Sequence, residues 1–146
     1  MPSPPRLNDA TLTLGKPDVR RPAYRRADVR PGVVHFGPGA FHRAHQAFYF
    51  DRMLQHDPGF GISAVSLRSD DIRRALEPQD GLYSLTEREA DPAVRIIGSI
   101  REVLTAPRSP DAVLARLADP AVRIVSATVT EKGYCLTPAG DLDLEL

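Results

Sequence analysis

The sequence predicts an α/β fold with a mostly parallel sheet and helices on both of its faces. The first observation is a short apolar strand at 33–36 that passes through a Gly-Pro-Gly turn directly into an amphipathic helical segment. The second is the alternation of strand and helix patterns along the chain, which is typical of parallel sheets. The third is the segment 122–130, which is nearly continuous in apolar and β-branched residues, as central parallel strands are.

Composition fits one domain and disfavours several functions. The chain has 146 residues, 42% of them hydrophobic, and its formal net charge is zero. A nucleic-acid partner is therefore not expected, because it requires a clustered positive surface. No apolar run approaches the roughly 20 residues of a membrane span, and no secretory signal begins the chain. The single cysteine, Cys135, excludes an internal disulfide and predicts a soluble protein of the reducing cytoplasm.

Residues 1–31 form a Pro/Arg-rich extension, with six prolines and seven basic residues against three acidic ones. Proline fixes φ and removes a donor, so we expect no strand here, only a short turn capped by Asn8 or Asp9. Two uses remain open: an arm that attracts phosphate, or a solvated extension over the domain, which is favoured. The arginines concerned are Arg20, Arg21, Arg25, Arg26 and Arg30.

The first strand, at 33–36, is followed by a helix predicted over 40–55. Small residues recur on one face of this helix, at Ala40, Ala44 and Ala47. Small side chains let a helix lie close to a sheet, so we expect all three alanines to face the strands.

The remaining elements follow from apolar runs and their breakers. Pro78 ends a short helix at Glu77, and Gly81 breaks the chain before an antiparallel pair of strands. After the last strand a doubly wound sheet normally continues, so the chain is expected to be truncated at its C-terminus. The predicted segments are strand 61–67, helix 70–77, strands 82–87 and 94–98, helix 110–118 and strand 122–130.

The glycine turn is the main functional signal. Gly37 would allow the sharp bend and Gly39 the close approach of a diphosphate, with Ala40 and Phe41 opening the helix behind them. His42 stands where the usual fingerprint has its third glycine, so an ordinary strand-to-helix turn is the alternative. The flanking strand and helix favour a Rossmann-like fold, with 32–146 as the N-terminal part of a dinucleotide-binding domain.

Residues 37–46, Gly-Pro-Gly-Ala-Phe-His-Arg-Ala-His-Gln, resemble the G-x-G-x-F-x-R-A-H-Q stretch of the mannitol dehydrogenase family of polyol-specific long-chain dehydrogenases. Two further stretches, 79–85 (Gln-Asp-Gly-Leu-Tyr-Ser-Leu) and 129–134 (Val-Thr-Glu-Lys-Gly-Tyr), are similar to the same family. The three motifs occur in order over nearly the whole chain. The resemblance covers only the N-terminal Rossmann part of a family member, which is much longer.

The resemblance implies metal-independent hydride transfer between NAD(P) and a polyol such as mannitol, giving a ketose, or reduction of a keto-uronate such as fructuronate. The family's catalytic lysine lies in a helical C-terminal domain, and no residue of this sequence matches that lysine. Lys132 belongs to the Thr-Glu-x-Gly-Tyr motif instead, so this part alone is expected to be inactive. Glu131 matches a glutamate at the active-site entrance and would relay a proton. The alternative for Glu131 is a loop carboxylate in water or paired with Lys132.

Cofactor choice depends on the end of the second strand. Asp70 would bind the adenosine ribose hydroxyls of NAD, whereas Arg68 would receive the 2′-phosphate of NADP. A helix cap and a solvated arginine are the respective alternatives. Family habit favours NAD, with NADP possible. Thr130 would be a sheet residue like Thr128, or its hydroxyl would reach the cofactor. Arg43 would pair with a diphosphate oxygen or with Asp80.

Three other hypotheses concern a metal site, a module without catalysis and an anion bound by the N-terminal arm. The histidines at 35, 42, 45 and 56 suggest a metal site, but no cysteine or clear carboxylate completes a ligand set, and a metal is not expected. Instead, His42 and His45 would hydrogen-bond a phosphate or the substrate, and His35 would pack in the core. A non-catalytic nucleotide-binding module is the main functional alternative. Binding of another anion by the basic N-terminal arm is a weaker one. The oligomeric state cannot be read from the sequence.

Overall fold

The computed structural model describes residues 5–88, 92–130, 134–137 and 139–143. Short 3₁₀ turns occur at Leu12–Leu14, Arg26–Asp28, Pro58–Phe60 and Glu77–Gln79. The strands are β1 (Pro31–Phe36), β2 (Gly61–Ser66), β3 (Tyr83–Glu87), β4 (Ala93–Ile97), β5 (Ile100–Thr105) and β6 (Ile124–Ala127). The helices are α1 (Ala40–Ala44), α2 (Gln46–Met53), α3 (Asp71–Leu76) and α4 (Pro110–Leu117).

The main sheet has the strand order β5-β2-β1-β6, and all of its pairs are parallel. The chain moves outward from β1 to β2 and β5, then crosses back to place β6 on the other side of β1. This reversal creates a crevice at the carboxyl ends of β1 and β6. The doubly wound order confirms the prediction of a Rossmann-like α/β fold.

The two faces of the sheet are covered by different helices. On one face Val33, Ile62 and Ile100 pack with Ala47 of α2 and Leu76 of α3. On the other face Val34 of β1 and Val65 of β2, whose side chains point away from the first layer, pack with Val113 of α4. Because side chains alternate along a strand, one apolar run serves both layers. The prediction of helices on both faces is confirmed.

The predicted antiparallel pair is also confirmed, as β3 and β4 pair from Tyr83↔Ile97 to Glu87↔Ala93. Strand β5 is not predicted by the sequence pattern, because Arg101 and Glu102 interrupt its apolar residues. In the structure Glu102 accepts hydrogen bonds from Ser63 Oγ and from Arg116 of α4, both at 2.6 Å. A charged residue is therefore accommodated in a parallel strand by partners from two other elements.

Strand β6 is shorter than the predicted 122–130, and within the described sheet it is an edge strand. It pairs with β1 over Ile124–Ala127, and β1 itself ends at Phe36, opposite Ala127. Val125 is exposed. The expectation of a central strand over the whole apolar run is therefore wrong for the described residues.

The helix predicted over 40–55 is broken at His45, whose φ and ψ of −120° and −83° are not helical. Ala40 and Ala44 are exposed, and only Ala47 is buried against the sheet. The backbone carbonyl of Ala47 accepts a hydrogen bond of 2.7 Å from the Ser99 hydroxyl. The predicted stripe of three alanines is wrong because the break turns α1 away from the direction of α2.

Residues before β1 are attached to the sheet by buried polar contacts. Arg26, only 6% exposed, forms an ion pair of 2.8 Å with Asp9 and donates to the backbone carbonyls of Gly98 and Asp80. Asp51 of α2 accepts from the Tyr24 hydroxyl at 2.5 Å and from the Gly98 amide at 2.8 Å. Arg26 therefore differs from the expected solvated or phosphate-attracting side chain.

Arg20 also departs from the expectation for the extension. Its backbone amide donates to the Val94 carbonyl of β4 at 2.9 Å, and its carbonyl accepts from the Ile96 amide of β4 at 2.8 Å. This isolated bridge between Arg20 and Arg95 forms although no strand was expected in the extension. It is possible because Arg20 lies between two prolines and keeps its own amide donor.

We predict that Gly81→Ala lowers the free energy of unfolding by about 2–5 kcal/mol. Gly81 has φ +78°, and a Cβ there would lie 2.1 Å from the carbonyl oxygen of Ile100 in β5. Backbone strain of about 1–2 kcal/mol then adds to overpacking of about 1–3 kcal/mol. Urea denaturation of both proteins measures the difference.

Gly140→Ala is the matched control, because Gly140 also has positive φ but a Cβ there meets no atom of the described residues within 4 Å. It should cost only the strain, about 1–2 kcal/mol. Equal losses for the two variants would contradict the close approach of Gly81 to β5.

Candidate functional site

A crevice of about 500 Å³ opens at the carboxyl ends of β1, β2 and β6. It lies at the reversal of strand order, where open α/β sheets bind their ligands. Three of the predicted site residues line it: Gly37, Arg68 and Thr130. They come from three loops that are distant in sequence, and the parallel strands bring them to one edge.

The glycine turn adopts the tight geometry predicted for Gly37. Its φ is +84°, in the region that favours glycine, and its amide donates to the Val65 carbonyl of β2 at 3.0 Å. The amide of Gly39 turns back to the carbonyl of Gly37 at 2.7 Å. The turn is therefore held against the end of β2 before the helix begins.

Gly39 has no structural reason to be glycine within the described part of the chain. Its φ is −69°, which any residue adopts, and a Cβ there would meet only the Gly37 carbonyl oxygen, at 4.0 Å. The missing side chain instead leaves open space on the outside of the turn. That space suits a group that must approach the backbone closely, such as a diphosphate.

Ala40 and Phe41 form the first turn of α1, and both are exposed. The amides of the first helical turn have no intrahelical acceptor, so they are available to a bound anion. The Phe41 ring, 68% exposed, stacks on His45 with centroids 5.3 Å apart. The Phe41 backbone thus lies at the glycine turn, whereas its ring lies on the other side of α1.

A second cleft, of about 450 Å³, lies on that other side of α1. It is lined mainly by apolar and ring side chains of α1, α2 and the end of β6, including Phe41, Tyr49, Met53 and Val129. All four of these side chains are exposed. His35 and His42 also line this cleft.

His42, at the third position of the fingerprint, is buried rather than directed to the crevice. Only 1% of it is exposed, and its ring stacks on His35 with centroids 3.6 Å apart and planes 8° from parallel. His35 in turn bonds Ser126 at 2.9 Å and Thr128 at 3.0 Å through its two ring nitrogens. A histidine pair therefore joins α1 to β1 and β6.

The environment of this pair keeps His42 neutral. Burial, followed by the charges of His35 and Arg43, lowers the pKa of His42 to about 3. Burial also lowers the pKa of His35. Among the described residues, neither ring nitrogen of His42 has a hydrogen-bond partner. Its contribution is therefore packing, and the described residues contain no group of three metal-binding side chains.

Arg43 stabilises the glycine turn through its side chain. Its guanidinium donates to the carbonyl of Pro38 at 2.7 Å, and its own carbonyl accepts from the Tyr83 hydroxyl at 2.7 Å. The Asp80 carboxylate accepts instead from the amide of Asp9, at 3.0 Å. The expected pairing of Arg43 with Asp80 is thus replaced by a contact within the turn.

Arg68 and Asp70 are in different environments. Arg68 is exposed at the crevice, and no described residue forms an ion pair with it. Asp70 accepts two hydrogen bonds from Arg73, at 2.9 and 2.6 Å, and one from the Thr105 hydroxyl at 2.6 Å. These bonds lower the pKa of Asp70. Asp70 precedes α3, but its side chain makes no capping hydrogen bond.

The segment after β6 completes the wall of the crevice. Thr128 is hydrogen-bonded to the sheet through its amide and the Phe36 carbonyl, at 2.9 Å. Thr130 is exposed two residues further on. Glu131, the predicted proton relay, lies outside the described residues, as does Lys132.

The doubly wound sheet, its glycine turn and the crevice at the reversal define a nucleotide-binding domain of the Rossmann class. The family model described as the mannitol dehydrogenase Rossmann domain matches residues 31–143. The chain therefore belongs to the mannitol dehydrogenase family, which confirms the resemblance seen in its motifs.

Individual relatives agree with this assignment. The chain is 44% identical over 142 residues to a polyol:NADP oxidoreductase of Gluconobacter oxydans, covering 92% of this chain and 29% of the relative. It is 45% identical over 134 residues to a mannitol 2-dehydrogenase of Pyrenophora tritici-repentis, covering 88% and 24%. The ternary complex of Pseudomonas fluorescens mannitol 2-dehydrogenase with NAD and D-mannitol superposes with a TM-score of 0.83 at 43% identity, covering 96% and 30%.

The chain thus spans less than a third of the length of these proteins. The matched part is the Rossmann domain of the family. No helix among the described residues is long and apolar enough to cross a membrane.

We predict that the free energy of unfolding falls as the pH drops below about 6.5, and that His42→Phe reduces this dependence. The unfolded chain binds a proton at His42 near pH 6.5, whereas the native state binds it only near 3. Between these values the unfolded state holds more protons, so stability decreases by up to about 1.4 kcal/mol per pH unit. Urea denaturation from pH 4 to 7 measures the slope.

The comparison of variants isolates His42, because burial raises the pKa of Asp51 and gives a slope of the opposite sign. His56→Phe, at an exposed histidine, should keep the slope of the unmodified chain. An unchanged slope in His42→Phe would show that His42 is already accessible to protons in the native state.

Proposed function

We propose that the crevice binds a nicotinamide dinucleotide, NAD or NADP, for an oxidoreductase that interconverts a polyol such as mannitol and a ketose. Reduction of a keto-uronate such as fructuronate is the related alternative. Membership of the mannitol dehydrogenase family supports the class of reaction. The relatives include one named for NADP and one solved with NAD and D-mannitol.

The observation that carries the proposal is the open space at Gly39. The described residues provide no conformational or packing reason for glycine there, and a diphosphate supplies one. In the proposal Gly37 shapes the turn, while the amides of Ala40 and Phe41 face the diphosphate oxygens. His42 stabilises the same turn by stacking on His35, and Arg43 does so by donating to the Pro38 carbonyl.

When bound, the dinucleotide supplies a nicotinamide ring that accepts or gives a hydride. We place the Thr130 hydroxyl and the Arg68 side chain along the bound molecule, because both line the crevice. Glu131 follows Thr130 directly in the chain and would relay a proton at the entrance of the active site. The reaction is proposed to require no metal.

Catalysis is proposed to require residues beyond this chain. The family's catalytic lysine has no match here, so the chain alone should bind the cofactor without turning over a polyol. The single cysteine favours a reducing compartment, and the cytoplasm is the proposed location.

We predict that Gly39→Val weakens NADH binding at least tenfold without changing the fold. The valine side chain would occupy the space proposed for the diphosphate, whereas φ −69° and the absence of neighbours make it tolerable to the protein. NADH fluorescence enhancement on titration with the 146-residue chain measures the dissociation constant. Circular dichroism and thermal unfolding measure the fold.

Ala115→Val is the matched control, since Ala115 is exposed on α4, which packs on the face of the sheet opposite to α2. It should leave NADH binding unchanged. Unweakened binding by a folded Gly39→Val variant, or no binding by the unmodified folded chain, would refute the proposed site.

A further inference from the structure

The loop after β2 presents a guanidinium to the crevice and turns its carboxylate away. In open α/β sheets this loop faces the adenosine ribose, where a carboxylate binds the ribose hydroxyls and an arginine accommodates a 2′-phosphate. The sequence contains both residue types, Arg68 and Asp70, two positions apart. Their contacts decide which of them is available to a ligand.

Asp70 is engaged by the protein. Both of its carboxylate oxygens bind Arg73, and one of them also accepts from the Thr105 hydroxyl at the end of β5. Arg108 lies 3.4 Å and Arg74 3.9 Å from the same carboxylate. Its negative charge is thereby offset by neighbouring cations, and its side chain is not among those that line the crevice.

Arg68 has the opposite properties. It is exposed, lines the crevice, and has no hydrogen-bonding or charged partner among the residues that the structure describes. A hydrogen bond of 2.7 Å from the Ser66 hydroxyl to the Ser69 carbonyl spans its loop. Ser69 also lines the crevice and adds a second donor beside the guanidinium.

We propose that the crevice accepts a dinucleotide carrying a 2′-phosphate, and that Arg68 is the contact for this phosphate. The guanidinium binds phosphate through parallel N–H···O bonds, and Ser69 supports it. Asp70 is a positioning residue, since it joins the loop to Arg73 and Thr105 and does not bind the ribose. This inference rests on the proposed function and specifies the cofactor class that the same site takes.

The test compares NADPH and NADH on the full 146-residue chain by fluorescence titration at low salt. The unmodified chain should bind NADPH about tenfold more tightly than NADH, as expected for a hydrogen-bonded charge pair at an exposed site. Arg68→Ala should remove this advantage, because it should weaken NADPH binding about tenfold more than it weakens NADH binding. Raising the salt concentration should also reduce the advantage, because exposed charge pairs are screened.

Arg74→Ala is the matched control. Arg74 is an equally exposed arginine on the adjacent helix, 3.9 Å from the same carboxylate, and it does not line the crevice. The ratio of the two affinities should stay unchanged in this variant. Asp70→Asn, which keeps the shape of the side chain, should leave NADH affinity within about twofold.

Three results would overturn the inference. They are tighter binding of NADH than of NADPH, an equal loss of both cofactors in Arg68→Ala, and a selective loss of NADH in Asp70→Asn, which would make Asp70 the ribose ligand. Failure of the unmodified folded chain to bind either cofactor would instead refute the proposed function as a whole. The two kinds of failure are therefore distinguishable.

Discussion

The stack of His42 on His35 is the contact on which the geometry of the crevice depends. It occupies the position where a dinucleotide fingerprint usually has its third glycine, and it brings α1 against β1 through two flat rings 3.6 Å apart. His35 extends the contact to Ser126 and Thr128 at the end of β6. The turn, the first strand and the strand across the reversal are therefore held by one cluster. Its cost is a buried imidazole that must remain neutral.

Buried and partly buried charges organise the rest of the domain, because each one requires partners from distant elements. Glu102 joins β5 to Ser63 of β2 and to Arg116 of α4. Asp51 joins α2 to Tyr24 and to the Gly98 amide that follows β4. The same principle acts at the crevice, where Asp70 is withdrawn by its arginines. The charged side chain available to a ligand there is Arg68, because Asp70 is already bonded to Arg73 and Thr105.

Much of the fold was predictable from local pattern. Strands β1 and β2, the hairpin β3–β4 and helix α4 follow from runs of apolar residues and from their breakers, and the G-x-G-x-F-x-R-A-H-Q motif identified the family. Strand β5 was not predictable, because Arg101 and Glu102 conceal its apolar period until their partners are known. The alanine stripe of the helix after the turn misled, since the break at His45 leaves only Ala47 facing the sheet.

The sequence by itself determined the family, the order of most elements and the position of the glycine turn, because these depend on residues that are near one another in the chain. Only the tertiary structure decided that His42 packs on His35, that Arg43 braces Pro38, and that Arg68 rather than Asp70 reaches the crevice. Each of these outcomes depends on backbone geometry and on which partners the fold brings within hydrogen-bonding distance. For Asp70 one of these partners is Thr105, which lies 35 residues away.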